Sequence, residues 1–413
     1  MMIRGLAGAL CRGKLDQGSA PGHTVFPVPC LSGSAEAVVD LSAIAHNTAL
    51  LAKAAGNAKL MAVVKADGFG HGAVQVARTA LANGASWLGV TSPAEALALR
   101  HQGIAAPILM WLYGPGEDLA PVVAANIDIS VASIAQLGCA AAAARKTGRV
   151  AAVHLKVDTG LARSGAIPAD WAVLSSAARE FEHAGIVKVV GIWSHLGNAE
   201  DPYDPRSGEQ LGLFYDALAI SRAAGLAPTL LHLANSAALL QIPAARFDLV
   251  RAGIALYGVE PVPGQCFGLR PAMALRGEII LTKRVPAGTW VSYGRLYRTR
   301  RETTLGLVPL GFADGVPRIA WQRASVAING VRCPVAGRIA MDQFVVDVGD
   351  IEVTAGDVAV LFGPGDDGEP TVCDWAEWAG TTPHEILTGI GPRLPRRILP
   401  APVLPLSINQ KWE

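Results

Sequence analysis

The sequence contains little cysteine and no long hydrophobic run, and its charges nearly cancel. Its 413 residues include six cysteines, none of them in a C-x-x-C pair, a distribution that fits neither a zinc site nor a disulfide framework. No stretch of about 18 apolar residues is free of charges, as a membrane-spanning helix would require. The 35 Lys and Arg residues are balanced by 34 Asp and Glu residues, so the surface is not suited to nucleic acid or to an anionic membrane. These deficits predict a soluble, cytoplasmic protein that has no metal site and acts on a small molecule.

The length of the chain predicts two domains preceded by an extension. A single hydrophobic core usually stops growing at roughly 250–300 residues. Residues 1–35 contain Arg4 and a short apolar run at 6–10 but no cleavage motif, so we expect a disordered extension and not a signal peptide. The Pro/Gly-rich segment 261–271 predicts the boundary between a first domain at 36–270 and a second at 271–413.

Residues 58–258 repeat one pattern, in which a short apolar run is followed by a turn and a longer Ala/Leu-rich helical stretch. The pattern gives seven helical stretches, for example at 73–82, 93–101, 169–184 and 209–224. The candidate strands are 60–65, 87–91, 107–112, 127–131, 151–157, 187–195, 229–233 and 247–254. Eight such units in about 200 residues predict an α/β fold of the (β/α)8 TIM-like barrel type and not an open doubly wound sheet.

After residue 270 the pattern changes to strands separated by turns, with little helix. The candidate strands are 274–284, 289–297, 304–310, 325–333, 344–348 and 358–361, and one helix is expected at 373–379. Asn329-Gly330 between apolar runs is a strong hairpin signal. We therefore expect a mainly β C-terminal domain after the barrel.

Polar residues gather at the predicted carboxyl ends of the barrel strands, where the active sites of such barrels lie. Lys65 ends the first strand, and a lysine at the mouth of a dry barrel loses hydration, which lowers its pKa. The other strand ends supply Lys156, Asp158, Thr159, Gly160, Arg163, His195, His232, Asn235, Ser236, Arg251, Gly253 and Ile254. Taken singly, these residues have ordinary explanations, with His154 and His232 as buried core histidines and Ser236 as a helix N-cap.

Taken together, the same residues predict a site for an anionic cofactor. They bring an amine, two guanidinium groups, an imidazole and backbone N–H groups at a helix start to one end of one barrel, and such N–H groups are suited to a phosphate. Lys65 can capture a carbonyl group. Pyridoxal 5'-phosphate (PLP) supplies both the phosphate and the carbonyl.

Seven blocks of the sequence, in the same order, resemble the alanine racemase family. They are AVVKADGFGHG (62–72), HLKVDTGLARSG (154–165), HLANSAA (232–238), VRAGIALYG (250–258), VSYG (291–294), GRIAMDQ (337–343) and EILTGIGPRLPRR (385–397). The resemblance covers about residues 36–400 and is far more specific than a lone glycine motif. It implies a PLP-dependent racemase that interconverts L-alanine and D-alanine for peptidoglycan, working as a homodimer with shared active sites.

The resemblance also implies roles for individual residues. Lys65 would bind PLP covalently and act as the base for the D-enantiomer, and Tyr293 would be the opposed base for the L-enantiomer. His195 and Arg251 would form the network around Tyr293, and Arg251 would hold the pyridine nitrogen. The remaining roles are Ser236, Gly253, Ile254 and His384 at the phosphate, Arg163 and Met341 at the substrate carboxylate, and Lys156 as a lysine that is carbamylated in order to position Arg163.

Three positions depart from the family pattern, because Phe69, Phe312 and His384 stand where the family usually has tyrosine. Phe69 lacks a hydroxyl donor for the phosphate, and His384 offers an imidazole in place of one. We therefore expect weaker binding of PLP without loss of activity. Phe312 falls where the family lines the substrate entrance.

Other PLP-binding functions remain open from the sequence. A serine racemase or a racemase of broader range differs from an alanine racemase only in the residues that line the pocket. A non-catalytic PLP carrier on the same barrel would not need the β domain with Tyr293. A decarboxylase of basic amino acids would need an acidic partner for the pyridine nitrogen where Arg251 stands, and a D-amino-acid dehydratase is a further relative.

Overall fold

The structure is a computed structural model that describes residues 34–201 and 203–400. The extension predicted at 1–35 therefore lies almost wholly outside the described residues. The described chain starts with strand β1 (Ala35–Asp40) and helix α1 (Leu41–Ala55). The Asp40 carboxylate caps this helix by accepting the N–H of Ser42 at 2.7 Å.

Eight parallel strands follow and form a nearly closed barrel. They are β2 (Lys59–Val63), β3 (Trp87–Val90), β4 (Ile108–Met110), β5 (Asp128–Val131), β6 (Ala151–Lys156), β7 (Val187–Trp193), β8 (Leu230–His232) and β9 (Leu249–Ala252). Neighbours in chain order pair from β2 to β8, and β9 pairs with β2. Where β8 meets β9, the Arg251 N–H donates to the Ala234 carbonyl at 3.1 Å. The predicted barrel is confirmed. No barrel strand extends more than one residue beyond the segment that was predicted for it.

Helices lie between the barrel strands. They are α2 (Lys65–Phe69), α3 (Ala73–Ala82), α4 (Pro93–His101), α5 (Ala120–Ala124), α6 (Ile134–Thr147), α7 (Pro168–His183), α8 (Pro205–Ala223) and α9 (Ser236–Gln241). The start of α4 has a capping box, in which the Ser92 hydroxyl accepts the N–H of Glu95 and the Glu95 carboxylate accepts the N–H of Ser92. Gly148 ends α6 in the left-handed conformation. These signals explain why the predicted helices agree closely with the observed ones.

The C-terminal region is built mainly from strands. They are β10 (Met273–Glu278), β11 (Leu281–Val285), β12 (Trp290–Val291), β13 (Tyr297–Arg298), β14 (Thr303–Val308), β15 (Ser325–Ile328), β16 (Val331–Pro334), β17 (Phe344–Gly349), β18 (Val358–Phe362) and β19 (Arg396–Leu399), with helices α10 (Val372–Ala379) and α11 (Pro383–Gly389). The larger sheet has the order β16-β15-β18-β10-β1-β19, and a smaller one has the order β11-β14-β17. The predicted mainly β region, its Asn329-Gly330 hairpin and its helix at 373–379 are confirmed.

Strand β1 pairs with β10 and β19 and not with any barrel strand. The predicted first domain at 36–270 therefore begins with residues that the structure places in the sheet of the C-terminal region. The domain boundaries themselves stay predictions.

Two of the predicted C-terminal strands are wrong. The segment 274–284 is two strands in different sheets, because the Ile279 N–H donates to Asp357 and the next N–H, that of Ile280, donates to Leu307. The segment 289–297 is interrupted by a 3-10 turn at Tyr293–Arg295, where Ser292 and Arg295 adopt positive φ angles. Within the described ranges, no helix is long and apolar enough to cross a membrane.

Candidate active site

A cavity of about 1100 Å³ opens at the carboxyl ends of the barrel strands. Nine predicted site residues line it: Lys65, Lys156, Arg163, His195, Ser236, Arg251, Gly253, Ile254 and His384. Its lining contains four lysine and arginine side chains against two carboxylates, those of Glu200 and Glu260. The excess of positive charge suits an anionic ligand.

Lys65 follows β2 after one intervening residue, Val64, and its side chain lines this cavity. Burial and the nearby Arg163 charge lower the pKa of Lys65, while Glu95 acts in the opposite direction. Glu95 also accepts the backbone N–H of Ala66 at 2.7 Å, so it holds the chain next to the lysine. A lysine with a lowered pKa is neutral in a larger fraction of molecules and can act as a nucleophile or a base.

The backbone after Lys65 forms a left-handed turn. Ala66, Asp67, Gly68 and Phe69 have φ angles of 52°, 51°, 60° and 53°, and for residues other than glycine this conformation costs roughly 1–2 kcal/mol each. The His71 ring lies 2.9 Å from the Phe69 carbonyl, and the Asp67 carboxylate accepts the Ala73 N–H at 2.8 Å. Strain that is held in place in this way is typical of functional sites.

Lys156 ends β6 inside the barrel mouth and is almost fully buried. Burial, followed by the charges of Arg251 and Arg163, lowers the pKa of Lys156 to about 7. Its ammonium lies 4.2 Å from the ring centre of Trp193 and donates to the Ser164 hydroxyl at 3.1 Å. A large fraction of Lys156 is therefore a neutral amine near pH 7.

Arg251 on β9 is buried and is held by neutral groups. Its guanidinium donates to the carbonyls of Ser194 at 2.8 Å and Leu233 at 3.0 Å. It also lies 3.1 Å from Nδ1 of His232 and 3.4 Å from Nδ1 of His195. Burial lowers the pKa of Arg251 to about 9, so the group stays mostly protonated at neutral pH. Burial and the Arg251 charge hold the pKa of His195 well below its usual range, which keeps that imidazole neutral.

A polar cradle lies where α9 begins beside the end of β9. The Ser236 hydroxyl oxygen accepts the N–H of Gly253 at 2.9 Å and that of Ala255 at 3.4 Å. Because the hydroxyl oxygen is the acceptor in both of these bonds, the hydroxyl hydrogen remains free to donate to a ligand. The N–H of Gly253 already has a partner, so the Ser236 hydroxyl is the more available donor of this pair.

Phe69 and His384, two of the residues that stand in place of tyrosines, lie next to this cradle. The Phe69 ring stacks on Tyr257 at 4.5 Å, and its Cζ atom lies 3.5 Å from the position that a Cβ on Gly253 would take. The His384 ring lies 5.8 Å from the Phe69 ring. Burial and the Lys65 charge lower the pKa of His384.

Tyr293 and Met341, in contrast, do not line the cavity. The Tyr293 side chain is 69% exposed. The Ser292 hydroxyl donates to the Arg338 carbonyl at 2.6 Å, and the Phe312 N–H donates to the Ala340 carbonyl at 3.0 Å. These bonds bring the segments 292–296, 311–313 and 338–341 close together. We call the exposed apolar or aromatic side chains that these segments carry, namely Tyr293, Leu296, Phe312 and Met341, the Tyr293 patch.

Several residues that line the cavity were not predicted, namely Thr91, Trp111, Trp193, Glu200, Glu260 and Cys373. Thr91 follows β3 and Trp111 follows β4, so the rule that singled out the other strand ends also points to them. Glu200, Glu260 and Cys373 lie away from strand ends and had no such signal. Within the part of the chain that the structure describes, no group of three His, Cys, Asp or Glu side chains is placed to bind a metal.

Fold and site together are those of a barrel enzyme, with a lysine amine at the strand ends in a cationic cavity that suits an anionic ligand. The family model described as the N-terminal domain of alanine racemase matches residues 39–261, and the one for the C-terminal domain matches residues 272–398. The chain belongs to the alanine racemase family.

Two relatives and one solved structure give the extent of this similarity. The chain is 54% identical over 367 residues to "Alanine racemase" of Thermobifida fusca, covering 89% of this chain and 98% of the relative. It is 53% identical over 365 residues to the protein of the same name in Frankia casuarinae, covering 87% and 95%. The crystal structure of alanine racemase from Streptomyces lavendulae superposes with a TM-score of 0.87 at 47% identity, covering 91% of this chain and 98% of that one.

Proposed function

We propose that this protein is a cytoplasmic, PLP-dependent racemase that interconverts L-alanine and D-alanine and so supplies D-alanine for peptidoglycan. The observation that carries the proposal is the cavity in which the Lys65 amine, with its lowered pKa, lies among cationic side chains. Relatives at about half identity over nearly their whole length are named for this reaction.

The chemistry of the donor groups in the cavity fits PLP. The aldehyde of PLP can react with the Lys65 amine, and its phosphate carries the negative charge that the cationic lining calls for. The phosphate would be held by the Ser236 hydroxyl and the Ile254 N–H, with Gly253 fixing Ser236 and with His384 nearby. The Arg251 guanidinium would donate to the pyridine nitrogen. When bound, PLP supplies a ring that withdraws electrons from the substrate's α-carbon.

Racemisation requires two bases, because the α-proton leaves one face of the carbon and a proton returns on the other. The neutral amine of Lys65 would serve one face. Tyr293 would serve the other, but its side chain points into solvent outside the cavity. We therefore propose a head-to-tail homodimer in which the Tyr293 patch of each subunit completes the cavity of its partner. Exposed apolar groups clustered in one patch are typical of such an interface.

The substrate carboxylate would be bound by Arg163 together with the backbone N–H of Met341 from the partner. Arg163 lies in the loop after β6, a few residues from Lys156. The neutral amine of Lys156 can form an N–C bond to carbon dioxide and release one proton to solvent. The resulting carbamate would give Arg163 an anionic partner that fixes its orientation.

Absorption and turnover test this proposal together. Purified protein should show a band at about 420 nm from covalently bound PLP, which borohydride removes, and should convert L-alanine into D-alanine. The Lys65→Ala variant should lose both properties. A band without alanine turnover would redirect the assignment to a serine or broader-range racemase or to a non-catalytic PLP carrier, and the absence of a band would overturn it.

A further inference from the structure

A chain of hydrogen bonds runs through the barrel interior beneath Arg251. The Asp128 carboxylate lies 3.1 Å from Nε2 of His154, and Nδ1 of His154 lies 2.9 Å from Nε2 of His232. Nδ1 of His232 lies 3.1 Å from Nη1 of Arg251. Asp128 is the first residue of β5, so the chain starts at the end of the barrel opposite the cavity.

The chemistry of the end groups fixes which nitrogen carries each proton. An ionised carboxylate only accepts, so Nε2 of His154 carries a proton. A guanidinium only donates, so Nδ1 of His232 accepts and the proton of that ring is on Nε2. Nε2 of His232 then donates to Nδ1 of His154, which must accept. All three contacts are satisfied at once only when both imidazoles are neutral Nε2–H tautomers.

The neighbouring strands are shaped around this chain. A Cβ on Gly191 of β7 would lie 2.3 Å from Nδ1 of His154, so glycine is needed there to leave room for the ring. The His232 ring stacks on Trp193 at 5.4 Å with an angle of 7° between the planes. Arg100 interacts with the Asp128 charge at the other end.

Arg251 depends on such partners, because within the described residues it forms no ion pair with a carboxylate. All its hydrogen-bond partners are carbonyls and imidazoles. If Nδ1 of His232 were protonated, two donors would face each other and the guanidinium would have to turn or shift. The tautomer of His232 therefore decides where the donors of Arg251 point.

We propose that Asp128, His154 and His232 are positioning residues that set the orientation of Arg251 through a fixed order of imidazole tautomers. We call these three residues with Arg251 the tautomer relay. It rests on the proposed function in one respect, namely that Arg251 contacts the pyridine nitrogen of PLP. The relay lets a carboxylate orient the arginine without placing a negative charge beside it.

The direct test is nitrogen NMR of the full chain labelled with ¹⁵N-histidine, which needs no cofactor. The protein has nine histidines, and the two relevant rings are assigned by their loss in His154→Gln and His232→Gln. We expect both rings to be neutral Nε2–H tautomers. In Asp128→Ala, His232 should show a population protonated at Nδ1, whereas in Asp128→Asn the amide oxygen can still accept and the tautomers should persist.

The second measurement is the dissociation constant and absorption spectrum of PLP. Loss of an outer-shell partner of a metal ligand typically costs 10- to 100-fold in affinity. By analogy, Asp128→Ala should weaken PLP binding by about 10-fold or more and alter the absorption spectrum of the bound cofactor. Asp128→Asn should remain close to wild type. Asp248→Ala is the matched control, because Asp248 precedes β9 at the same end of the barrel and its carboxylate accepts the Leu231 N–H at 2.8 Å without taking part in the chain of imidazoles. If Asp128→Ala does not fold, His154→Phe keeps a ring in the same space without either nitrogen and should have the same effect on PLP.

The outcomes separate the relay from the proposed function. The relay is overturned if Asp128→Ala behaves like Asp248→Ala, or if Asp128→Asn is as impaired as Asp128→Ala, since charge and not hydrogen-bond order would then be the cause. If wild type neither binds PLP nor racemises alanine, the proposed function fails. The tautomer relay would still be tested in that case, because the NMR measurement of the His154 and His232 tautomers needs no cofactor.

Discussion

At the scale of single residues, the Phe69 ring predicts a gain of cofactor affinity on adding one hydroxyl. Its Cζ atom points toward Gly253 and the Ser236 cradle, so the hydroxyl of Phe69→Tyr would reach the proposed phosphate position. A hydrogen bond to a charged group contributes about 1.5–3 kcal/mol, which corresponds to at least about 10-fold tighter binding. Fluorescence titration of the apoprotein with PLP measures the effect. Phe181→Tyr, on α7 and not in the cavity lining, is the control, and unchanged affinity in Phe69→Tyr would refute the explanation.

Lys156 predicts a second effect at this scale, on carbamylation. Its pKa of about 7 means that the amine is mostly protonated at pH 5.5 and mostly neutral at pH 8.5, and only the neutral form adds to carbon dioxide. With ¹³C-bicarbonate, a carbamate signal should therefore grow as the pH rises through 7. Lys156→Arg should show none. Absence of the signal in wild type at pH 8.5 would mean that the Trp193 face keeps Lys156 as an ammonium.

At the scale of elements, the left-handed turn α2 packs against α11, the helix that contains His384. A Cβ on Gly70 would lie 2.7 Å from the Leu387 carbonyl, whereas one on Gly103 would meet nothing within 4 Å, and both glycines have φ near 80°. Gly103→Ala should therefore destabilise by about 1 kcal/mol from conformation alone. Gly70→Ala should cost a further 1–3 kcal/mol or so and weaken PLP binding. Urea unfolding of both variants measures this, and equal losses would show that the contact between α2 and α11 is unimportant.

The elements also show what a sequence pattern can and cannot indicate. The barrel strands are buried on both faces and read as short apolar runs, so periodicity found all eight. Strand β1 has the same texture, but its pairing with β10 depends on residues more than 200 positions away. The turn at Tyr293 needs positive φ at Ser292 and Arg295, neither of which is a glycine, so Gly294 between them is its only mark in the sequence.

At the scale of the whole molecule, the rule that active sites lie at the carboxyl ends of barrel strands predicted most of the candidate site but not all of it. Residues at strand ends meet at one mouth whatever their distance in sequence, which brought Lys65, Lys156 and Arg251 together as predicted. The tautomer relay was missed because Asp128 begins its strand and so lies at the opposite end of the barrel. The position of Tyr293 is a different case, because a residue supplied by another copy is not visible in the geometry of one chain.

The proposed head-to-tail dimer predicts that two inactive variants restore each other. In a mixed dimer of Lys65→Ala and Tyr293→Phe chains, one site combines both defects, while the other combines an intact barrel with an intact tyrosine. Random pairing makes half of all dimers mixed, so about a quarter of wild-type activity should return after the two variants are unfolded and refolded together. Mixing Lys65→Ala with Lys65→Arg should restore nothing, because both defects lie on the barrel side of the site. If the first mixture also stays inactive while affinity capture through a tag on one variant shows that the other variant is in the same dimers, Tyr293 serves its own chain or is not the second base.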